Sequence, residues 1–108
     1  MKISELEASN TFDILRVRII SRQGPNRVGS RARGMKFVWN LLIADETGTS
    51  VLSLWGVNTG ENFKVGQVIG ITNGWCKLFN GQKQVSLGRE GKIKILPDDP
   101  SLPRQIDP

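Results

Sequence analysis

Residues 35–57 read MKFVWNLLIADETGTSVLSLWGV, two apolar runs on either side of Asp45-Glu46-Thr47-Gly48. Met35 to Asp45 is rich in β-branched and aromatic residues, which suit a pleated, half-buried surface. Thr49 to Val57 alternates Leu52 and Leu54 against Val51, Ser53 and Trp55, a period of two. A tight turn at Glu46-Thr47-Gly48, with Gly48 at positive φ, would join the two strands as a hairpin. If Leu52 and Leu54 face a core, Trp55 faces out among small or polar neighbours, which marks a binding surface.

Strand signals continue on both sides. Phe12 to Arg22 alternates Leu15, Val17 and Ile19 against Arg16 and Arg18. Gln23 to Gly34, QGPNRVGSRARG, holds three Gly and one Pro and is expected as a long loop between the first and second strands. Asn58 to Gly66 has room for a turn or two of helix at most. Gln67 to Cys76 reads as the fourth strand, with curvature or a bulge at Gly70 and Gly74. Lys77 to Gln82 is a hairpin tip around Asn80-Gly81, and Lys83 to Leu96 is the fifth strand. Pro97 to Pro108 carries four Pro in twelve residues and is expected as an extended or disordered tail.

The fold class is therefore all-β. Five curved strands, with a short connector between the third and fourth, fit a small barrel whose closure removes sheet edges. The five-stranded OB-fold is the matching architecture, with residues 1–96 as one domain and 97–108 as a flexible C-terminal tail. That fold binds oligonucleotides on its second and third strands and the loops joining strands one–two and four–five.

Charge and aromatic placement point to the same surface. The net charge of +5 is uneven: residues 14–36 sum to +7 and residues 64–94 to +5, around an acidic 37–63 at −3. Seven basic residues between 16 and 36 with no acid among them favour a polyanionic partner. Trp75, Lys77 and Phe79 alternate, so an extended hairpin sets ring, cation and ring on one face. Unstacked bases and phosphates of a single-stranded nucleic acid match that pattern. Arg27, Arg31 and Arg33 in the Gly-rich loop can offer both phosphate and cation–π contacts. With Lys36 they form one wall of a groove, with Lys77, Lys83 and Arg89 as the other. Arg16 and Arg18 are expected on the far side, solvating it. Trp39 shares parity with Leu41 and Ile43 and is expected in the core or at the barrel rim. Phe12, Phe37 and Phe63 are expected as core, and Ile3 and Leu6 as caps on an open barrel end.

Other function classes find little support. The chain has no His and one Cys, so neither a disulfide within the chain nor a zinc cluster can be assembled from it. No nucleophile–base pair or phosphate-binding loop is present, and neither an enzyme nor a cofactor or metal is expected. No apolar run approaches the roughly 18 residues of a membrane helix, and the N-terminus lacks a secretory apolar core. An intracellular setting, in cytoplasm or nucleoid, follows as the expectation. A single-stranded RNA partner, or a peptide held by a protein-interaction OB subunit, remain alternatives from the residues alone.

The ordered segments Asp45-Glu46-Thr47-Gly48, Leu52-Ser53-Leu54-Trp55-Gly56, Gly66-Gln67-Val68-Ile69, Asn73-Gly74-Trp75 and Phe79-Asn80-Gly81-Gln82 resemble the single-OB-fold single-stranded DNA-binding proteins of archaea. Those proteins are related to the DNA-binding domains of replication protein A. The resemblance spans roughly residues 3–96. It implies base stacking on Trp55, Trp75 and Phe79 and a backbone contact from Arg89. It also implies sequence-tolerant protection of single strands in replication, recombination and repair, by a monomer able to meet replication or repair proteins. Ser86 stands where some relatives carry a further aromatic.

Overall fold

The first strand, β1 (Thr11–Ser30), is long enough to serve two partners. Its first half, Thr11 to Arg18, pairs antiparallel with β4 (Val68–Phe79); its second half, Arg18 to Ser30, pairs antiparallel with β2 (Gly34–Asp45). β3 (Gly48–Trp55) follows β2 antiparallel and meets β5 (Gln82–Leu96) in parallel, and β5 returns antiparallel to β4. The order β1-β2-β3-β5-β4 closes on itself as a barrel. The computed structural model describes residues 2–7, 11–30, 34–56, 61–79 and 81–103, with all side chains there except those of residues 13, 25, 28, 30, 35, 79, 82 and 88–90.

Alternation fills the interior as expected. Leu15, Val17, Ile19, Leu41, Ile43, Leu52, Ile69, Ile71 and Val85 are fully buried in one cluster, joined by Phe12, Trp39 and Leu54. Ile3 and Leu6 close one end of the barrel. The 3-10 turn Ile3–Glu5 is held there by the buried Asp45: Ile3 N donates to Asp45 Oδ2 at 2.8 Å, and Thr47 N to Asp45 Oδ1 at 2.7 Å. Asp45 thus sets both the β2–β3 turn and the plug. This accounts for Gly48 lying outside the left-handed region, contrary to expectation. The two turn residues are Glu46 and Thr47, and Gly48 is already in the ladder opposite Asp45.

Gln23 to Gly34 also departs from expectation. It is largely a β-ribbon, with Asn26 opposite Val38, Arg27 opposite Phe37 and Gly29 opposite Met35. The Gly residues permit this instead of breaking it. Gly24 takes φ +137° beside a register shift between Gln23 and Asn26, where a Cβ would sit 3.0 Å from the Val38 carbonyl oxygen.

Residues 97–103, part of the expected tail, lie against the barrel. Leu102 is buried, and Arg18 is all but inaccessible beneath this segment. Arg18 Nη1 donates to the Gly66 carbonyl at 2.8 Å and to Asp98 Oδ1 at 2.7 Å, and Nη2 donates to the Asp99 carbonyl at 2.7 Å. The alternation of β1 does turn Arg18 out of the core, but two distant segments cover it. Its expected role as a solvating residue is therefore corrected to a structural one. Arg16 stays largely exposed, 3.5 Å from Asp99 Oδ2.

Candidate nucleic-acid interface

The outward face of β2, β3, β5 and β4 carries Trp55, Trp75, Lys36 and Lys77 of the residues singled out from sequence, and cross-strand register decides which stand together. Trp55 lies opposite Val38, Ser53 lies between Asn40 and Ser86, and Ser86 is opposite Trp75. Trp55 and Trp75 are 49% and 37% exposed, whereas Trp39 is 6% exposed and packs in the core. Arg22 covers the Trp39 ring at 5.2 Å and donates to the Phe63 carbonyl at 2.7 Å, tying the connector before β4 to the barrel.

Trp75 reaches this face through an irregularity. Ile69 and Ile71 are interior, so strict alternation would turn residues 73 and 75 inward. Instead the β4–β5 register shifts between Thr72 and Gly74, and Asn73 adopts φ +53°. Opposite Asn73 alone β5 carries four residues, 88–91, and across this irregularity the faces exchange: Gly74 and Cys76 are buried, and Trp75 is exposed. Gly74 is required beneath it, because a Cβ there would stand 2.6 Å from Phe12 Cζ. The bulge expected at Gly70 and Gly74 is thus centred on Asn73, a residue type that tolerates the left-handed region. Burial pushes the Cys76 thiol above its ordinary pKa.

Trp55 stands between two clefts. One, of about 340 Å³, is lined by Asn26, Val38, Asn40, Ser53, Lys77 and Gln84 with Trp55. The other, of about 430 Å³, lies on the ring's far side, against Phe63, Leu87, Lys92 and Ile93. Ser53, expected to be exposed beside Trp55, is buried between Asn40 and Ser86, and its hydroxyl donates to Asn40 Oδ1 at 3.3 Å. Ser86 Oγ is buried without a hydrogen-bond partner among the described residues.

The cations divide. Lys77 Nζ lies 5.9 Å from the Trp75 ring centroid and lines the first cleft. Lys36 shares the parity of Val38 and Asn40, placing it on the ring face of the ribbon. Arg27 pairs with Phe37 and so takes the ribbon's opposite face. Lys83 shares parity with buried Val85, and its ammonium donates to the Leu6 carbonyl at the plugged end. Its expected place in the groove wall is corrected on that account. Arg31 and Arg33 lie outside the described residues, as do the side chains of Phe79 and Arg89; Phe79 closes the β4–β5 ladder opposite Gln82. Asn26, Asn40 and Gln84 were missed by the sequence reading. Their signal was parity with Val38, Trp55 and Lys77, visible only once the ribbon is known to be paired.

No protein-family model matches the chain. The single-stranded DNA-binding protein Ssb of Saccharolobus solfataricus is 30% identical over 98 residues, which cover 91% of this chain and 65% of that protein. The OB domain of a Thermoplasma acidophilum protein superposes with a TM-score of 0.73 at 21% identity, over 92% of this chain and 88% of that one. The chain has an OB fold. The same OB fold recurs in a replication protein A heterotrimer bound to single-stranded DNA, with a TM-score of 0.79 at 12% identity over 99% of this chain and 27% of that one. The chain spans just under two thirds of its Saccharolobus relative, and the similarity to archaeal single-stranded DNA-binding proteins expected from the sequence motifs holds across most of its length. Among the described residues, no helix is long and apolar enough to cross a membrane.

Proposed function

We infer that the chain binds single-stranded DNA with little regard to sequence, stacking bases on Trp55 and Trp75 and holding phosphates with neighbouring cations. The observation that carries this reading is the exposure of two tryptophans on one outer face of the barrel, with Lys77 beside one of them. Exposed indoles are costly unless something covers them, and a base does so whatever its identity. Each stacked base contributes about 1–3 kcal/mol by alanine substitution in proteins of this kind. Phe79, expected from the sequence as a third stacking ring, belongs to the same reading. Lys36, Lys77, Arg31, Arg33 and Arg89 supply the phosphate contacts, which release counterions and make binding salt-sensitive. The name of the Saccharolobus relative and the DNA-bound replication protein A neighbour support this reading. A binding protein, not an enzyme, acting as a monomer to shield exposed strands during replication, recombination and repair is the role consistent with it.

Anisotropy of a labelled oligo(dT), competed by unlabelled duplex and by a matched RNA, tests the assignment. The single-stranded DNA is expected to win over both. Trp55→Ala and Trp75→Ala should each weaken binding at least several-fold while the fold persists. Equal competition by duplex, or unchanged affinity in both variants, would refute it; preference for the RNA would reassign the ligand.

A further inference from the structure

The cleft between Trp55 and Lys77 is more polar than stacking requires. Besides Trp55 and Val38, its lining is three amides, one hydroxyl and one ammonium: Asn26, Asn40, Gln84, Ser53 and Lys77. Asn40 and Gln84 are partly buried and Ser53 is buried, so these groups form a floor instead of a solvated rim. At about 340 Å³ the cleft has room for one base edge beside the ring.

We propose that this cleft reads the base placed on Trp55, favouring one with a carbonyl oxygen over one with an amino group at the same ring position. The inference rests on the single-stranded DNA reading above. Hydrogen-bond capacity sets the direction. Ser53 spends its proton on Asn40 Oδ1, at 3.3 Å, which leaves Asn40 its NH₂ group to donate. Lys77 has three donors and no acceptor. Asn26 and Gln84 each offer one carbonyl oxygen and one NH₂ group. Donors therefore dominate beside Lys77 and Asn40, with an acceptor available from Gln84, its cross-strand neighbour.

Uracil and thymine present O4 as an acceptor and N3–H as a donor, which this arrangement satisfies. Cytosine presents an amino group at the same position, and that group would meet Lys77 donor to donor. A polar group left unpaired against a polar wall costs more than a missing contact. The protein would then be tolerant of sequence along most of the strand and selective at one base.

Oligo(dU) and oligo(dC) of equal length isolate the effect. Their rings match in size and differ only at position 4 and in the protonation of N3. Measured by anisotropy at slightly alkaline pH, oligo(dU) should bind about fivefold or more tightly than oligo(dC). Asn40→Ala should collapse that ratio toward one. Asn40→Asp, which keeps the acceptor for Ser53 and removes the donors, should bring it to one or invert it. Equal affinity of the unaltered protein for the two oligomers overturns the proposal and leaves single-stranded DNA binding intact. A preference that survives both Asn40 substitutions overturns it as well, because the selectivity would then arise elsewhere. Failure of the unaltered protein to bind either oligomer removes both readings together.

Discussion

Asn73, at φ +53°, is the single β4 residue opposite four of β5, 88–91, and Trp75, two positions later, leaves the barrel on the face that also bears Trp55. The left-handed backbone at Asn73 is therefore part of the ring face although its side chain is not. Asn73→Gly should be tolerated. Asn73→Val should cost about 1–2 kcal/mol, because a β-branched residue is disfavoured there. Deleting residue 73 should leave Gly74 and Cys76 inward and Trp75 outward, because strict alternation from Ile71 through Thr72 then gives the same faces. Thiol labelling of Cys76 in native buffer should therefore stay slow in the deletion variant as in the parent, with urea denaturation as the stability measure for all three variants.

Lys36 and Lys77 share the ring face, whereas Lys83 is engaged with the Leu6 carbonyl at the plug. Lys36→Ala and Lys77→Ala should each reduce the slope of log K against log salt by about 0.7 on single strands. Lys83→Ala should leave that slope unchanged and lower the denaturation midpoint instead. Salt titrations of oligo(dT) binding for the three variants separate these outcomes.

Arg18 joins β1 to the segment after β5, through Asp98 and the Asp99 carbonyl. Substitution by Ala removes a buried guanidinium and strips two carbonyls and a carboxylate of their donor. Hydrogen bonds to charged groups are worth about 1.5–3 kcal/mol each. With Asp98 half exposed, the net loss should be about 3 kcal/mol. Urea denaturation of Arg18→Ala checks this, with no change expected in the salt slope of binding.

Ser101 donates from its N–H and its hydroxyl to Asp99 Oδ1, at 3.0 and 2.7 Å, and holds that carboxyl below its ordinary pKa of 3.8. A carboxyl lowered by folding contributes stability above its unfolded pKa and loses it as pH falls through the folded value. The midpoint in urea should therefore decline on acidification below 3.8. Ser101→Ala should make that decline shallower by removing the hydroxyl donor, the larger of the two influences on the carboxylate, while the backbone N–H stays. Denaturation midpoints across the acid range for the two proteins test the sign.

Periodicity carried most of the fold. Leu15, Val17, Ile19, Leu52 and Leu54 are interior because their neighbours of opposite parity are polar, charged or bulky, and Asn80-Gly81 marks a hairpin whose Gly81 takes φ +79°. What stayed hidden depended on partners far along the chain. Gln23 to Gly34 carries the glycines of a loop, yet its ladder with β2 accommodates them, Gly24 at a register shift and Gly29 and Gly34 in regular pairs. Arg18 and Arg16 look equivalent in β1, and only two segments far along the chain, at Gly66 and at Asp98-Asp99, distinguish them. The rings at Trp55 and Trp75 were legible as outward-facing. For Trp75 the hairpin parity was correct locally, and the irregularity that makes it compatible with Ile69 and Ile71 lies at Asn73, between the two glycines where a bulge was expected.

The three tryptophans occupy three different settings: Trp39 inside the barrel, Trp55 between two clefts and Trp75 beside a cation. Their emission is therefore divisible. Light from Trp39 comes at shorter wavelength and reports whether the barrel is intact, while the redder light of the other two reports what lies on its surface. A ligand that dims the red component and spares the blue has bound without disturbing the fold. The protein thus carries its own internal optical reference, needing no label, for every substitution outlined above that keeps the three rings.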